Sequence, residues 1–364
     1  MPYPDYNKSI VNLSASISSH FGAKPKHSRL DLPLQKKVVL LIVDGLGYDH
    51  VMEHSSFLRE NVAGKLTSVL PSTTASAMTA FMTGLTPLEH GCTGWFVKLR
   101  ELGMVVCPLR ESAREGTPLF LDYDKLFKLE GIFDKVKCPS ALIQPEKIID
   151  TRFTEALAGK AKRLGSTGLK DHLLKTEKAA SLRGRRLVFS YWDRFDEYCH
   201  RFGTKAVRTK RHFRSVEKGI RSLARRLKDT TLIVCSDHGQ VDVKGVVRLE
   251  DHPKLSECLS APLCGEPRFA YCYVRPDKVR QFRKETRKLK DKMMVFESGK
   301  LISYFGDGIE HPEFSHRIGD YVLVLKDNNV IFDRLLVEEE KELKGAHGGI
   351  SSQEMFVPLV VMQT

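Results

Sequence analysis

Three stretches, 37–43, 186–190 and 230–236, are almost continuously apolar and rich in Val, Leu and Ile, and each leads into a carboxylate. Unbroken runs of this kind suit strands buried on both faces, as in a parallel sheet covered by helices, and not a half-wet antiparallel sheet with strict alternation. Between them the pattern changes to helical spacing over 49–59 and 75–82, with a short strand-like stretch at 64–70. The predicted fold class is therefore α/β, with a mostly parallel central sheet and helices on both faces.

A chain of 364 residues exceeds the usual single-domain size, so one large core with an insertion is expected. Residues 1–36 are polar and punctuated by Pro, and read as an arm or short leading helix without chemistry. The core is predicted over 37–250 and 313–364. An inserted β-α-β lobe is predicted over 251–312, from FAYCYV, a charged helical run at 276–292, and strand-like MMVFES and KLISYF. The closing stretches GDYVLVLKDNNVIF and HGGISSQEMFVPLVVM supply two more strands, and 107–185 is the least legible part.

Eight cysteines show no CxxC pair and several sit inside apolar runs, which suits a reducing compartment. No apolar run reaches about 18 residues, and the first thirty contain no signal-like core. A soluble, cytoplasmic protein with no transmembrane segment is the expectation. The 58 Lys and Arg against 45 Asp and Glu leave a net charge of +13, which favours anionic partners. Ten of these cations fall between Lys205 and Lys228, interleaved with Val207, Phe213, Val216, Ile220, Leu223 and Leu227 at helical spacing. This reads as an amphipathic helix whose basic face is either simply solvated or a contact for nucleic acid or anionic lipid. Oligomeric state is not legible.

In open α/β sheets ligands bind beyond the carboxyl ends of the strands. The polar residues there are Asp44 after VVLLIV, Asp196 and His200 after the second run, and Asp237-His238 after the third. Spacing of four puts Asp196 and His200 on one face of a helical turn; Asp193, three residues earlier, competes with Asp196 for that role. Thr74 in LPSTTASAM stands at a strand-to-helix boundary, where a hydroxyl caps the helix and its N–H groups form an anion site. His347 lies in a glycine-flanked loop before the last strand. His90 and Glu354 read as packing or supporting groups.

The ordered set VDG, PSTT followed by TGLTPLEHG, D-x-x-x-H, SDHG and a late HGG before VPL resembles the alkaline phosphatase superfamily, in its type I phosphodiesterase/nucleotide pyrophosphatase branch. The resemblance covers 37–100, 186–240 and 313–361. It implies an alkaline-phosphatase-like fold and a site for two Zn²⁺ ions, with Mn²⁺ as an alternative. One ion would be held by Asp196, His200 and His347, the other by Asp44, Asp237, His238 and the Thr74 oxygen. It further implies that Thr74 is the nucleophile, forming a covalent phospho-threonine intermediate in the hydrolysis of a phosphodiester or phosphoanhydride. Two positions depart from the family: Trp95 replaces an Asn that holds a phosphate oxygen, and Thr73 stands where Lys often precedes the nucleophile. The oxyanion contact is then expected from a main-chain N–H of the Ala75 turn or from the Thr93 hydroxyl, and Trp95 is itself a substrate-binding candidate. Phosphomonoester and phosphonate hydrolysis remain alternatives within the superfamily. A basic nucleic-acid- or lipid-binding protein with a structural metal site is the alternative outside it. Arg268 and the 276–292 helix are candidates for covering the site.

Overall fold

The computed structural model describes residues 3–127, 130–333 and 343–364. A seven-stranded sheet forms the centre, with strands in the order Val62–Thr67, Phe356–Gln363, Thr230–Cys235, Lys37–Val43, Arg186–Trp192, Ser140–Pro145 and Lys162–Ser166. Lys37–Val43 runs parallel to both its neighbours, and the terminal strand Phe356–Gln363 is antiparallel to both of its own. Successive side chains leave a strand on opposite faces. Val38, Leu40 and Ile42 accordingly pack with the helices Ile10–His20 and Thr74–Thr83 on one face. Val39, Leu41 and Val43 pack with Phe213, Val216, Ile220 and Leu223 of the helix Val207–Arg226 on the other. The α/β expectation therefore holds, with a large mostly parallel sheet between two helical layers.

The N-terminal arm is part of the core. Ile10–His20 is a helix whose Ile10, Val11, Leu13 and Ile17 are buried against Thr74–Thr83. Its serines made it look exposed, but they are satisfied internally: Ser14 donates to the Phe81 carbonyl at 2.7 Å, and Ser16 to that of Asn12 at 2.7 Å. A buried hydroxyl with such a partner costs little, so polar composition does not force exposure.

The predicted 49–59 helix is two helices, Tyr48–His54 and Ser56–Glu60, broken at Ser55, whose hydroxyl caps the second by accepting from Leu58 N–H at 2.9 Å. The lobe is a four-stranded antiparallel sheet in the order Cys264–Glu266, Phe269–Cys272, Tyr321–Leu325, Met293–Glu297. Two expectations fail there. KLISYF lies in a 3₁₀ helix, Ser298–Phe305, and Tyr321–Leu325 sits inside the lobe sheet, beyond the boundary at 312. An apolar strand shows that it is buried but not in which sheet. One lobe face packs on Phe282 of the helix Val279–Arg287; the other meets Leu70, Ile350 and Met355 of the core.

Candidate active site

Register brings the predicted donors to one level. Val43 lies beside Trp192 and Ile42 beside Cys235, so Asp44, the 193–200 segment and Asp237 leave adjacent strands together. Asp196 and His200 project from the helix Arg194–Phe202, and Thr74 is the first residue of Thr74–Thr83. His347 arrives on a loop tied to the segment before Thr74 by a bridge between Ser72 and Gly348, and by the Ser72 hydroxyl donating to the Gly349 carbonyl at 2.7 Å.

Two groups of candidate metal ligands result, Asp196 with His200 and His347, and Asp44 with Asp196 and His238. Asp196 thus stands between the two groups, where the sequence reading gave it to one. The His238 Nε2 atom lies 3.2 Å from the Thr74 hydroxyl, 3.4 Å from Asp44 Oδ1 and 3.4 Å from Asp237 Oδ2. His200 Nε2 is 3.2 Å from Asp196 Oδ2, and His347 Nε2 is 3.9 Å from Asp196 Oδ1. Asp193 instead pairs with Lys147 at 2.7 Å, outside both groups.

Each site imidazole has its Nδ1 held by a main-chain carbonyl: His200 by Gly345 at 2.8 Å, His238 by Gly239 at 3.1 Å and His347 by Ser72 at 3.2 Å. A carbonyl only accepts, so Nδ1 carries a proton in each ring; His238 and His347 then present an Nε2 lone pair, the tautomer a metal ligand requires, and His200 presents one once its Nε2 gives up the proton it shares with Asp196. Two carboxylate oxygens, Asp44 Oδ1 and Asp237 Oδ2, are buried without a hydrogen-bond partner. Burial, then the Asp237 and Asp196 charges, push the Asp44 carboxyl well above the usual range. Burial and neighbouring His238 hold His347 well below its usual value. Burial opposes ionisation of both Asp196 and His200. Their mutual attraction outweighs it, holding Asp196 below the usual carboxylate range and raising His200 to about 9. Unpartnered carboxylate oxygens beside imidazole lone pairs are the donor set that divalent cations satisfy, so these residues fit metal. No cysteine belongs to either group.

The substrate-side predictions divide. The helix end beside Ala75 is open, because its N-cap residue Thr73 makes no side-chain cap. The Thr93 hydroxyl is fully buried and donates to the Arg317 carbonyl at 3.3 Å, which turns it away from any substrate. Trp95 is half-buried under the Arg110 guanidinium, 5.1 Å from its ring, and its main-chain N–H donates to Glu266 at 2.9 Å. His90 is buried and accepts from Cys92 N–H at 3.0 Å, a packing role. Arg268 lies beneath the site and not over it: it forks onto buried Glu354 at 2.6 and 3.0 Å, and Glu354 accepts from Gly349 N–H of the His347 loop.

Sequence reasoning missed Glu266, Tyr191 and Gln240. Glu266 accepts from the Thr73 hydroxyl, Tyr191 donates to Asp44 Oδ2, and Gln240 donates to Asp196. Tyr191 alone had a signal, its place one strand away from Asp44 in a predicted sheet.

The sequence profile of type I phosphodiesterase/nucleotide pyrophosphatase matches residues 38–350. Murine ectonucleotide pyrophosphatase/phosphodiesterase 5, solved as an inactive variant in complex with AMP, superposes with a TM-score of 0.69 at 17% identity, over 89% of this chain and 87% of that one. Phosphonoacetate hydrolase from Sinorhizobium meliloti 1021, in complex with phosphonoacetate, gives 0.67 at 16% identity, over 93% and 92%. At such identities the likeness speaks for the fold. No curated protein sequence matches the chain. With a family profile spanning most of its length and the alkaline-phosphatase fold beneath it, the chain belongs to the type I phosphodiesterase/nucleotide pyrophosphatase family of hydrolases.

Proposed function

We propose that the protein hydrolyses phosphodiester or phosphoanhydride bonds of phosphate-bearing small molecules, with Thr74 as nucleophile and two zinc ions as cofactors. The observation that carries this reading is the convergence of the Thr74 hydroxyl on His238 and on two buried carboxylate oxygens without partners. Asp196, His200 and His347 would hold one ion, and Asp44, Asp237, His238 and Thr74 the other. Bound there, the ions lower the pKa of a coordinated hydroxyl and neutralise charge on attacking and leaving oxygens.

Thr74 Oγ1 gives up its proton to solvent and forms a bond to phosphorus while the bond from phosphorus to the leaving oxygen breaks, and the departing alkoxide takes a proton from water. Water then attacks the phospho-threonine, the Oγ1–P bond breaks and the threonine hydroxyl is restored. The open helix end at Thr74 offers N–H donors to a phosphoryl oxygen. The AMP and phosphonoacetate bound by the structural neighbours support the substrate class. The exposed cationic face of Val207–Arg226 suits a nucleic acid or anionic lipid as a further partner. The eight buried thiols support a reducing, cytoplasmic setting.

The test is the rate of zinc-loaded protein on bis(p-nitrophenyl) phosphate beside p-nitrophenyl phosphate, with a chelator control and Thr74→Ala. Faster, chelator-sensitive diester cleavage is expected, reduced at least roughly thousandfold in Thr74→Ala. Normal turnover by that variant would refute the nucleophile, and a monoester preference would move the protein to the phosphatases. Phosphate release from phosphonoacetate alone would make it a phosphonate hydrolase.

A further inference from the structure

Of the two positions where this chain departs from its family, Thr73 reaches the Glu266 side chain through its hydroxyl and residue 95 through its main-chain N–H. Glu266 ends the lobe strand Cys264–Glu266 and is buried; its Oε1 accepts both the Thr73 hydroxyl and the main-chain N–H of Trp95. The lobe is clamped there, because Phe96 and Gly265 exchange main-chain hydrogen bonds at 3.2 and 2.7 Å. Gly348, next to His347, has φ +102, and a Cβ there would come within 2.4 Å of the Glu266 Cβ. Only glycine therefore lets the His347 loop pass the glutamate.

Thr73 is the N-cap of the helix that Thr74 begins, with the extended backbone of a capping residue (φ −141, ψ 150). A threonine so placed ordinarily turns its oxygen onto the N–H groups of the first turn, a bond worth about 1 kcal/mol. Here the hydroxyl points to Glu266 and makes no cap. The N–H groups it would have covered are the ones that the phosphoryl oxygen needs in the reading above, on which this inference rests. We propose that Glu266 is a positioning residue: by taking the Thr73 hydroxyl it keeps the first turn of the helix open, so that the lobe governs how well the nucleophile end binds phosphate. Without an acceptor at 266, Thr73 swings back, caps its own helix and competes with the substrate.

The consequence is non-additive and separates positioning from general support. Binding of inorganic phosphate to the zinc-loaded protein is measured by calorimetry, and KM and kcat for bis(p-nitrophenyl) phosphate beside it. Glu266→Ala should weaken phosphate binding about fivefold and raise KM more than it lowers kcat. Glu266→Gln, which keeps an acceptor oxygen, should recover most of the loss. Thr73→Val in the Glu266→Ala background should recover it as well, because no hydroxyl remains to cap the helix. Equal loss in the Ala and Gln variants, no recovery in the double variant, or no phosphate binding by the parent protein would overturn the proposal. Phosphate binding with the expected pattern but no ester cleavage would sink the hydrolase reading and leave the role of Glu266 standing.

Discussion

At the scale of single residues, the site is organised as much by its carbonyls as by its candidate metal donors. Gly345, Gly239 and Ser72 each fix one imidazole through Nδ1, so three Nε2 atoms are aimed before any ion arrives. Asp237 has the same division of labour: Oδ1 accepts from Gly45 N–H at 3.1 Å and from His238 N–H at 3.0 Å, while Oδ2 has no partner. Asp237→Asn keeps the first set and gives the second a neutral atom. It should lower zinc content by about one ion per chain. Unchanged metal by atomic absorption would remove Asp237 from the ligand set. Most of the candidate donors were readable because they follow an apolar strand or lie on a helical turn. The roles of Thr93 and Trp95 were not, because whether a hydroxyl or ring faces a pocket depends on neighbours far along the chain.

At the scale of elements, the helix Val207–Arg226 matches its sequence pattern closely. Phe213, Val216, Ile220 and Leu223 are buried, and Arg208, Arg211, Arg214, Lys218 and Arg225 are exposed. Among the described residues these five cations form no ion pair, while Arg226 binds Glu177 at 2.7 Å. Their spacings of three, three, four and seven keep them along one stripe about 25 Å long at 1.5 Å per residue. A labelled single-stranded oligonucleotide and phosphatidylserine vesicles are the two probes. Binding to at least one, falling steeply with salt, is expected, and Arg211→Glu with Arg214→Glu and Lys218→Glu should lower it at least about tenfold. Binding indifferent to the triple reversal would make the face merely solvated. The helix Ile10–His20 shows the converse, since its serines hid a buried element.

At the scale of the whole molecule, the core carries histidines that stay neutral. Burial lowers His50 and His90 to about 3 and His172 to about 4, and His172 is held between the hydroxyls of Ser166 and Ser190 at 2.9 and 2.7 Å. Their unfolded values lie near 6.5, so the stability they contribute is complete above that pH and is lost as pH falls toward the folded values. His172 alone accounts for roughly 3 kcal/mol by pH 4. Calorimetry should show Tm falling between pH 7 and 4.5, with a shallower fall in His172→Gln; equal slopes would assign the loss to other groups. What the sequence determined by itself was the central sheet, the residue types of the candidate donors and the family, because a strand buried on both faces and a motif at its end are local patterns. The tertiary structure decided the rest. It decided which sheet Tyr321–Leu325 joins, that the N-terminal helix is core, that Asp196 and not Asp193 enters the site, and that Glu266 reaches Thr73 across 193 residues of chain. Those outcomes turn on strand pairing and on which buried polar group finds a partner, and both depend on contacts between residues distant in sequence.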